Sequence, residues 1–524
     1  MRNFFLFQKC KTFIQNNIVI KGTLILILTG IITRIIGFYN RIFLSDLIGA
    51  TQLGIYQLIL PMYMIAFALT NYGNEIALTK LTSEHKGKRD YCSIHAFFII
   101  CFLSNILLAS LLSIIIYQNA EWICIHILHA NNCEDALKII CVGIPFMSMK
   151  GCIHGYFLGL GKAGVHGISD FIEQAVKVLS VFIIATFFCI KNQYNVNLAL
   201  WGVVISDIFA FLYSFIMLRI DNHKNKAYYM ACQKAYPTKK QLFTFLSNSI
   251  PLTTNRLALT ILQGIESIII PSVLFIYYND SDISLAHYGI FTGMAFPFIM
   301  FPATITNALS TMILPVVSYA TSASDTKQLS NLCEKSLHFC LLIGVFSFTI
   351  FYIYGIDIGY LFFQNKEAGI YLYQLSFLCP FIYLATTLAS IINGLGHANY
   401  NLLFTVIATL IRITFIQFFV PNIGLSGYTL GLFISYCYLT TASFIKLQKI
   451  IQLPLHFIKK IFIPWFSFIL VGSVSYCIFR RIITSYTLSH LSELLLLIGI
   501  IGIIAFICVL PLIKIIYKAP QQPH

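Results

Sequence analysis

From about Ile18 to Ile48 the chain is almost entirely apolar, yet it carries Arg34 and Arg41 seven positions apart. A hydrocarbon core roughly 30 Å thick is crossed by about 20 apolar residues in a helix. The run is therefore long enough to span a bilayer. Gly37 lies three positions after Arg34, so Arg34, Gly37 and Arg41 share one helix face. A charge deep in such a helix costs about 2.5–3.5 kcal/mol, and a side chain of this kind faces a water-filled cavity or the interior of a helix bundle. The rest of the chain reads as the walls of that cavity.

Composition supports this reading. Of 524 residues, 58% are hydrophobic and 10% charged, with mean hydropathy +0.82. A soluble domain carries roughly 25% charged residues. The formal net charge of +15 has no basic tail behind it. Much of it sits in short connections between apolar runs, so a nucleic-acid partner is not expected. The 15 cysteines include no CxxC pair, and most lie within apolar runs, as Cys101, Cys189, Cys340, Cys437 and Cys477 do. They read as small buried hydrophobes and not as a disulfide framework. The apolar patch from Phe4 to Phe7 is too short for a signal-peptide core.

The expected fold is an all-α polytopic membrane protein with about 14 transmembrane helices. The spans fall near residues 18–45, 52–79, 92–117, 134–158, 165–190, 197–219, 241–276, 285–318, 328–354, 368–393, 399–420, 425–446, 458–480 and 489–516. Spans holding Pro251 and Pro271, or Pro297, Pro302 and Pro315, are expected to kink. Lys and Arg in the connections divide 22 to 5 in favour of the side that carries Lys9, Lys86, Lys162, Lys240, Lys449 and Lys518. That side is cytoplasmic, and with it both termini. Arg480 and Arg481 are the exception. Short amphipathic stretches around residues 121–129 and 356–363 are expected on the outer surface. There is no GxxxxGK[ST] loop, so no ATPase is expected within the chain.

An internal repeat is visible. Gly159-Leu160-Gly161-Lys162-Ala163 recurs as Gly394-Leu395-Gly396-His397-Ala398, an offset of 235 residues. The same offset carries Lys177 onto Arg412. Two six-helix units in one orientation would be related by an axis along the membrane normal, with a site between them. The expected organisation is a lobe over 1–220, a cytoplasmic linker over 221–240, a second lobe over 241–450, and two extra helices with a cytoplasmic tail over 451–524.

Six cations fall within spans, namely Arg34, Arg41, Lys150, Lys177, Arg256 and Arg412, against the acids Glu75, Asp170, Glu173, Asp207 and Glu266. Arg256, Thr260, Gln263 and Ser267 form a polar stripe, as do Thr405, Thr409 and Arg412. A cationic cavity calls for an anionic cargo, and the arginine fork suits phosphate oxygens. Arg34, Arg41, Lys177, Arg256 and Arg412 are the candidate substrate-binding residues. Glu75, Glu173, Asp207 and Glu266 are candidates for ion coupling or for pairing within the bundle. Glu173 and Lys177 stand four apart and can simply pair. Lys150 and Arg41 are expected to snorkel to the interface. The glycines at 151, 155 and 159 form a GxxxG face that reads as helix packing. His126 and His129 have no partner at ligand spacing, so no metal site or cofactor is expected.

At these residues the chain resembles the stage V sporulation protein B family of the multidrug/oligosaccharidyl-lipid/polysaccharide exporter superfamily. The matching stretches are Lys21-Gly22-Thr23, Thr33-Arg34-Ile35-Ile36-Gly37-Phe38, Arg41, Ile48-Gly49-Ala50 and Gly54-Ile55-Tyr56-Gln57. Gly155-Tyr156-Phe157, Ile172-Glu173-Gln174, Asn255-Arg256, Glu266-Ser267, Tyr288-Gly289 and Gly293-Met294-Ala295 with Pro297 follow in order. The resemblance implies two six-helix lobes related by pseudo-two-fold symmetry, plus two C-terminal helices. It also implies a flippase in the cell membrane that moves a lipid-linked glycan, a peptidoglycan precursor for the spore cortex, by alternating access. Arg34 and Arg256 look like the cavity arginines of related flippases. The implied partners are an anionic lipid-linked glycan, membrane lipids and cell-wall synthesis proteins. The chain departs from the family pattern at three places. His154 stands where an Arg is usual, Asn74-Glu75 replaces an apolar-Pro pair, and Asp170 adds an acid.

The competing reading is a cation-coupled multidrug exporter of the same superfamily, which needs acids at the cavity centre. A glycosyltransferase is disfavoured because neither a large outer loop nor an acidic metal motif on a loop is present, so the chain is not expected to be an enzyme. A passive scaffold leaves the buried charges unexplained.

Overall fold

The computed structural model describes residues 18–130, 133–187, 195–224, 237–322 and 326–451. The expected spans near 458–480 and 489–516, and the pair Arg480-Arg481, lie outside them, as does most of the expected linker. Among the described residues the chain is helical and contains no strand. Nine of these helices are long and apolar enough to cross a membrane, or ten if one bent pair counts as a span.

The first element, α1, runs Ile18–Phe67. At 1.5 Å per residue its 50 residues would reach about 75 Å, well over twice the hydrocarbon thickness. The helical path breaks at Gly49, where φ is 76° and ψ is 174°. Only glycine adopts that conformation without strain. The break, which divides α1 into two arms, falls between the first two expected spans, 18–45 and 52–79, and the second of these runs on past the end of α1. A single π-turn, Ala68–Tyr72, joins the second arm to α2, Gly73–Gly87. Asp90 caps α3, Tyr91–Gln118, by accepting from the Ser93 N–H. A short helix α4, Ala120–Ile123, and a π-turn cover the expected amphipathic stretch near 121–129. Then come α5, Glu134–Gly159, α6, Gly164–Phe187, and α7, Val196–Lys224. The helix α6 is not among the nine apolar spans, since it carries Asp170, Glu173 and Lys177 within 24 residues.

The helix α8, Lys239–Tyr278, continues through Pro251 and Pro271. The next expected span is broken instead into α9, Ser281–Gly289, a π-turn, α10, Phe296–Met300, and α11, Ala303–Ser322. Pro302 follows the last residues of α10 and cannot donate the backbone hydrogen bond that would extend them. The helix α12, Thr326–Phe363, absorbs residues 356–363, which therefore close a 38-residue helix and are not a separate surface element. The chain ends its described part with α13, Lys366–Ser376, α14, Cys379–Gly394, α15, Ala398–Ile423, and α16, Leu425–Ile451. The axes of α13 and α14 bend by 56°.

Two compact units result: Met1–Ser272 with Asp280–Gly289, and Val273–Asn279 with Ile290–His524. In the first, α5 packs on α2, α3 and α7, and α6 packs on α1 and α7. Its core holds Leu78, Phe97, Cys152, Ile153, Phe157 and Phe245. In the second, α14 packs on α11 and α12, and α15 on α16. Its core holds Ile313, Val317, Cys333, Leu337, Leu388 and Ile391. Most described cysteines are buried and free, as expected of small hydrophobes. Cys92 departs from that reading, because it is disulfide-bonded.

The repeat recurs as geometry inside each unit. Gly161 and Gly396 both take positive φ, 75° and 83°. The turn closes with Lys162 N–H donating to Phe157 O at 2.8 Å in the first unit, and His397 N–H to Ile392 O at 3.0 Å in the second. Ser83 Oγ donates to Gly159 O at 3.0 Å. Ser318 Oγ donates to Gly394 O at 2.9 Å. All these pairs keep the 235-residue offset.

Candidate functional site

The charged residues of the first unit sort into three groups. The first is an ion network buried between α5, α6 and α7. Lys150 Nζ donates to Glu173 Oε2 at 2.6 Å and to Asp207 Oδ1 at 2.8 Å. Lys177 Nζ lies 3.6 Å from the other Glu173 oxygen. Tyr63, from the second arm of α1, donates its hydroxyl to Asp207 Oδ2. Two ammonium groups face two carboxylates, so the network is neutral as a whole. Lys150 is 7% exposed and does not snorkel, contrary to the sequence expectation. The physical reason is that Glu173 and Asp207 meet it inside the bundle, which offsets the desolvation that drives a lone ammonium outward. Glu173 and Lys177 do pair along α6, and Lys150 joins them.

The second group is a layer of buried amides and imidazoles. Asn105 Nδ2 donates to Asn71 Oδ1 at 2.8 Å and to Ser148 O at 3.0 Å. Asn74 Nδ2 donates to Asn105 Oδ1 at 2.6 Å. Asn71 Nδ2 donates to Glu75 Oε2 at 2.9 Å. Ser249 of α8 donates its hydroxyl to Asn74 Oδ1, tying α8 to the π-turn region. The rings of His154 and His166 stack with centroids 4.3 Å apart. The links that tie Asn105 and Ser249 into this layer were invisible in the sequence, because their partners are 31 to 175 positions apart. Only the unusual density of Asn in apolar surroundings marked them.

The third group is the arginines. Arg34, Arg41 and Arg256 are all exposed on their helices. Among the described residues, no carboxylate lies within ion-pair distance of any of the three. Gly37, between Arg34 and Arg41, faces α6: a Cβ there would sit 3.5 Å from Gln174 Oε1. The Arg256 guanidinium stands over the Tyr72 ring, 4.9 Å from its centroid. That contact orients the fork without neutralising it. Along the Arg256 stripe, Thr260 Oγ1 donates to Arg256 O at 2.8 Å and Ser267 Oγ to Gln263 O at 3.0 Å, so both hydroxyls are met by their own helix.

In the second unit Arg412 is 9% exposed, donates to Thr409 Oγ1 at 3.1 Å and faces the Tyr436 ring. Thr409 Oγ1 in turn donates to Thr405 O. Glu266 of α8 is 5% exposed. Arg34, Arg41, Lys177 and Arg256 thus fall in one unit and Arg412 in the other.

Comparison with known proteins gives the family and the fold. Residues 19–321 match the model of a family described as polysaccharide biosynthesis protein, and residues 260–417 match the MatE model. Stage V sporulation protein B of Bacillus subtilis (strain 168) is 23% identical over 464 residues, covering 87% of this chain and 88% of that protein. Lipid II flippase MurJ of the same organism is 22% identical over 430 residues, covering 75% and 76%. Among solved structures, Lipid II flippase MurJ in an inward closed conformation aligns with TM-score 0.71 at 17% identity, over 94% of this chain and 99% of that one. A multidrug resistance MATE family transporter in an inward-facing conformation aligns with TM-score 0.63 at 13% identity, over 82% and 98%. At these identities the structural likeness shows the fold alone, that of a multi-pass helical membrane protein. Two of the relatives are named as a multidrug export protein and a lipid II flippase.

Proposed function

Because this chain belongs to the polysaccharide biosynthesis protein family, whose relatives are membrane transporters, we propose that it is a flippase for a lipid-linked glycan with a phosphate-bearing headgroup. The glycan we assign is a peptidoglycan precursor for the spore cortex, carried across the cell membrane with both chain termini on the cytoplasmic side. The names of the relatives support the glycan class, since one is a stage V sporulation protein and another a lipid II flippase.

The observation that carries the reading is the division of the cations. Lys150 and Lys177 are neutralised by Glu173 and Asp207. Arg34, Arg41 and Arg256 have no such partner among the described residues. An unpaired guanidinium at membrane depth is costly, and it is relieved by an anion. A diphosphate offers oxygens that match the guanidinium fork in pairs. In this reading the three arginines bind the headgroup, and the neutral Lys150 network holds α5, α6 and α7 in place. Glu75 and Glu266 take no part in binding the anion. The multidrug alternative needs carboxylates available to a cationic drug, and Glu173 and Asp207 are already engaged by Lys150.

The test is a liposome assay with purified protein and a labelled lipid-linked disaccharide-pentapeptide. Crossing is expected with the natural chain and is lost in Arg34→Ala and Arg256→Ala. Absence of crossing by the natural chain, or equal crossing by both variants, overturns the proposal.

A further inference from the structure

We infer that Glu75, His154 and His166 form a site for a zinc-class divalent cation, with Asp170 and Ser214 as its outer partners. One candidate ligand atom from each of the first three residues lies within 4.8 Å of the others. They come from three helices, α2, α5 and α6. The approach of α2 to α5 depends on Gly155, where a Cβ would sit 2.6 Å from Glu75 O. That close contact is what brings the Glu75 carboxylate to His154, the residue before Gly155.

The surroundings orient the imidazoles. Asp170 Oδ2 lies 3.2 Å from His166 Nδ1, a second carboxylate beside that imidazole. Ser214 Oγ lies 3.3 Å from His154 Nε2, which leaves His154 Nδ1. A carboxylate behind a metal-bound histidine fixes its tautomer and raises its basicity. Asn71 donates to one Glu75 oxygen, so both carboxylate position and rotamer are held. Two imidazoles and one carboxylate are the donor set of an open zinc site, with a fourth position left for water. The charge also closes. A divalent ion with Glu75 and Asp170 is neutral, and both imidazoles stay uncharged. Zinc–nitrogen bonds of about 2.0–2.1 Å place tetrahedral ligands about 3.3 Å apart, so the widest pair need close by no more than about 1.5 Å.

The site is not sealed. The His166 side chain is 25% exposed and that of Asp170 is 44% exposed, which gives an ion a way in. Glu75, His154 and Asp170 are the three places where the chain departs from the pattern it otherwise resembles, and they converge here. The expectation of no metal site came from His126 and His129, which take no part in this cluster.

The experiment uses the full, tag-free chain in detergent, titrated with Co2+ as a visible probe and then with Zn2+. One Co2+ per chain is expected, with the strong visible absorption of a low-coordinate site, displaced stoichiometrically by Zn2+. His154→Gln and His166→Gln should each weaken binding at least 100-fold, and Asp170→Asn about 10- to 100-fold. Zn2+ should also raise the melting temperature of the natural chain and leave that of His166→Gln unchanged. His166 is the least buried of the two imidazoles, so this variant remains informative where His154→Gln fails to fold. Binding by a Glu75→Gln/His154→Gln/His166→Gln variant equal to that of the natural chain, or no stoichiometric binding by the natural chain, overturns the inference.

Discussion

Lys150 and Asp207, 57 positions apart, meet at 2.8 Å in the interior of the first unit, and Glu173 closes on the same ammonium at 2.6 Å. Removing the ammonium leaves a buried carboxylate without its counter-charge, which typically costs about 3–5 kcal/mol. Lys150→Met should therefore lower the thermal stability of the purified protein by an amount in that range. Adding Asp207→Asn should restore part of it, because Glu173 keeps Lys177 at 3.6 Å. Melting curves of the natural chain, the two single variants and the pair decide this. A double variant no better than Lys150→Met alone contradicts the account.

The arginines behave differently. Arg34→Ala and Arg256→Ala leave no carboxylate stranded, so folding stability should change by no more than about 0.5 kcal/mol. Transport should fall at least ten-fold in both. Arg256→Lys should recover only part of it, since an ammonium cannot make the paired fork contacts. Membrane abundance measured beside flipping separates the two effects.

The two glycines of the repeated turn should not respond equally to a methyl group. A Cβ at Gly159 would sit 2.5 Å from Thr82 Cβ and 2.8 Å from Thr79 O, while one at Gly394 would meet its nearest neighbours at 3.0 Å. Overpacking typically costs about 1–3 kcal/mol. Gly159→Ala is expected near the upper end and Gly394→Ala near the lower. Thermal unfolding of the two variants gives the order, and a reversed order counts against the packing described.

At the start of α3, outside the spans, the Ser93 hydroxyl and N–H hold the Asp90 carboxyl below its ordinary range. A depressed carboxylate contributes stability that is fully present above its unfolded pKa of about 3.9 and is lost as pH falls through the folded value. The advantage of the natural chain over Asp90→Asn should be present at pH 7 and shrink below about pH 4. Asp90→Ala, which removes the cap as well, should cost about 1 kcal/mol at neutral pH. Melting temperatures of the three proteins at both pH values check this.

Length and apolar character alone made the membrane helices legible, and a five-residue repeat made the paired glycine turns legible. The break at Gly49 falls in the connection between the first two expected spans, 18–45 and 52–79, although nothing local marks that glycine as the turned one. The position of Lys150 was missed. Snorkelling is the expected fate of a lone ammonium, and its partners lie 23 and 57 positions away. The pairing of Glu173 with Lys177 was readable because four positions on one helix bring side chains together. The meeting of Glu75, His154 and His166 depends on how α2, α5 and α6 pack, which no local spacing encodes.

The serine latch on each glycine turn has a bearing on ancestry. Ser83 grips Gly159 as Ser318 grips Gly394, at 3.0 and 2.9 Å. A gene fused to its own duplicate would inherit both fasteners at one stroke. What came later shows in the next residue along, where Lys162 reaches Asp221 while His397 lies edge-on to Tyr400. The two copies have kept a common hinge-pin and drifted apart in what hangs from it.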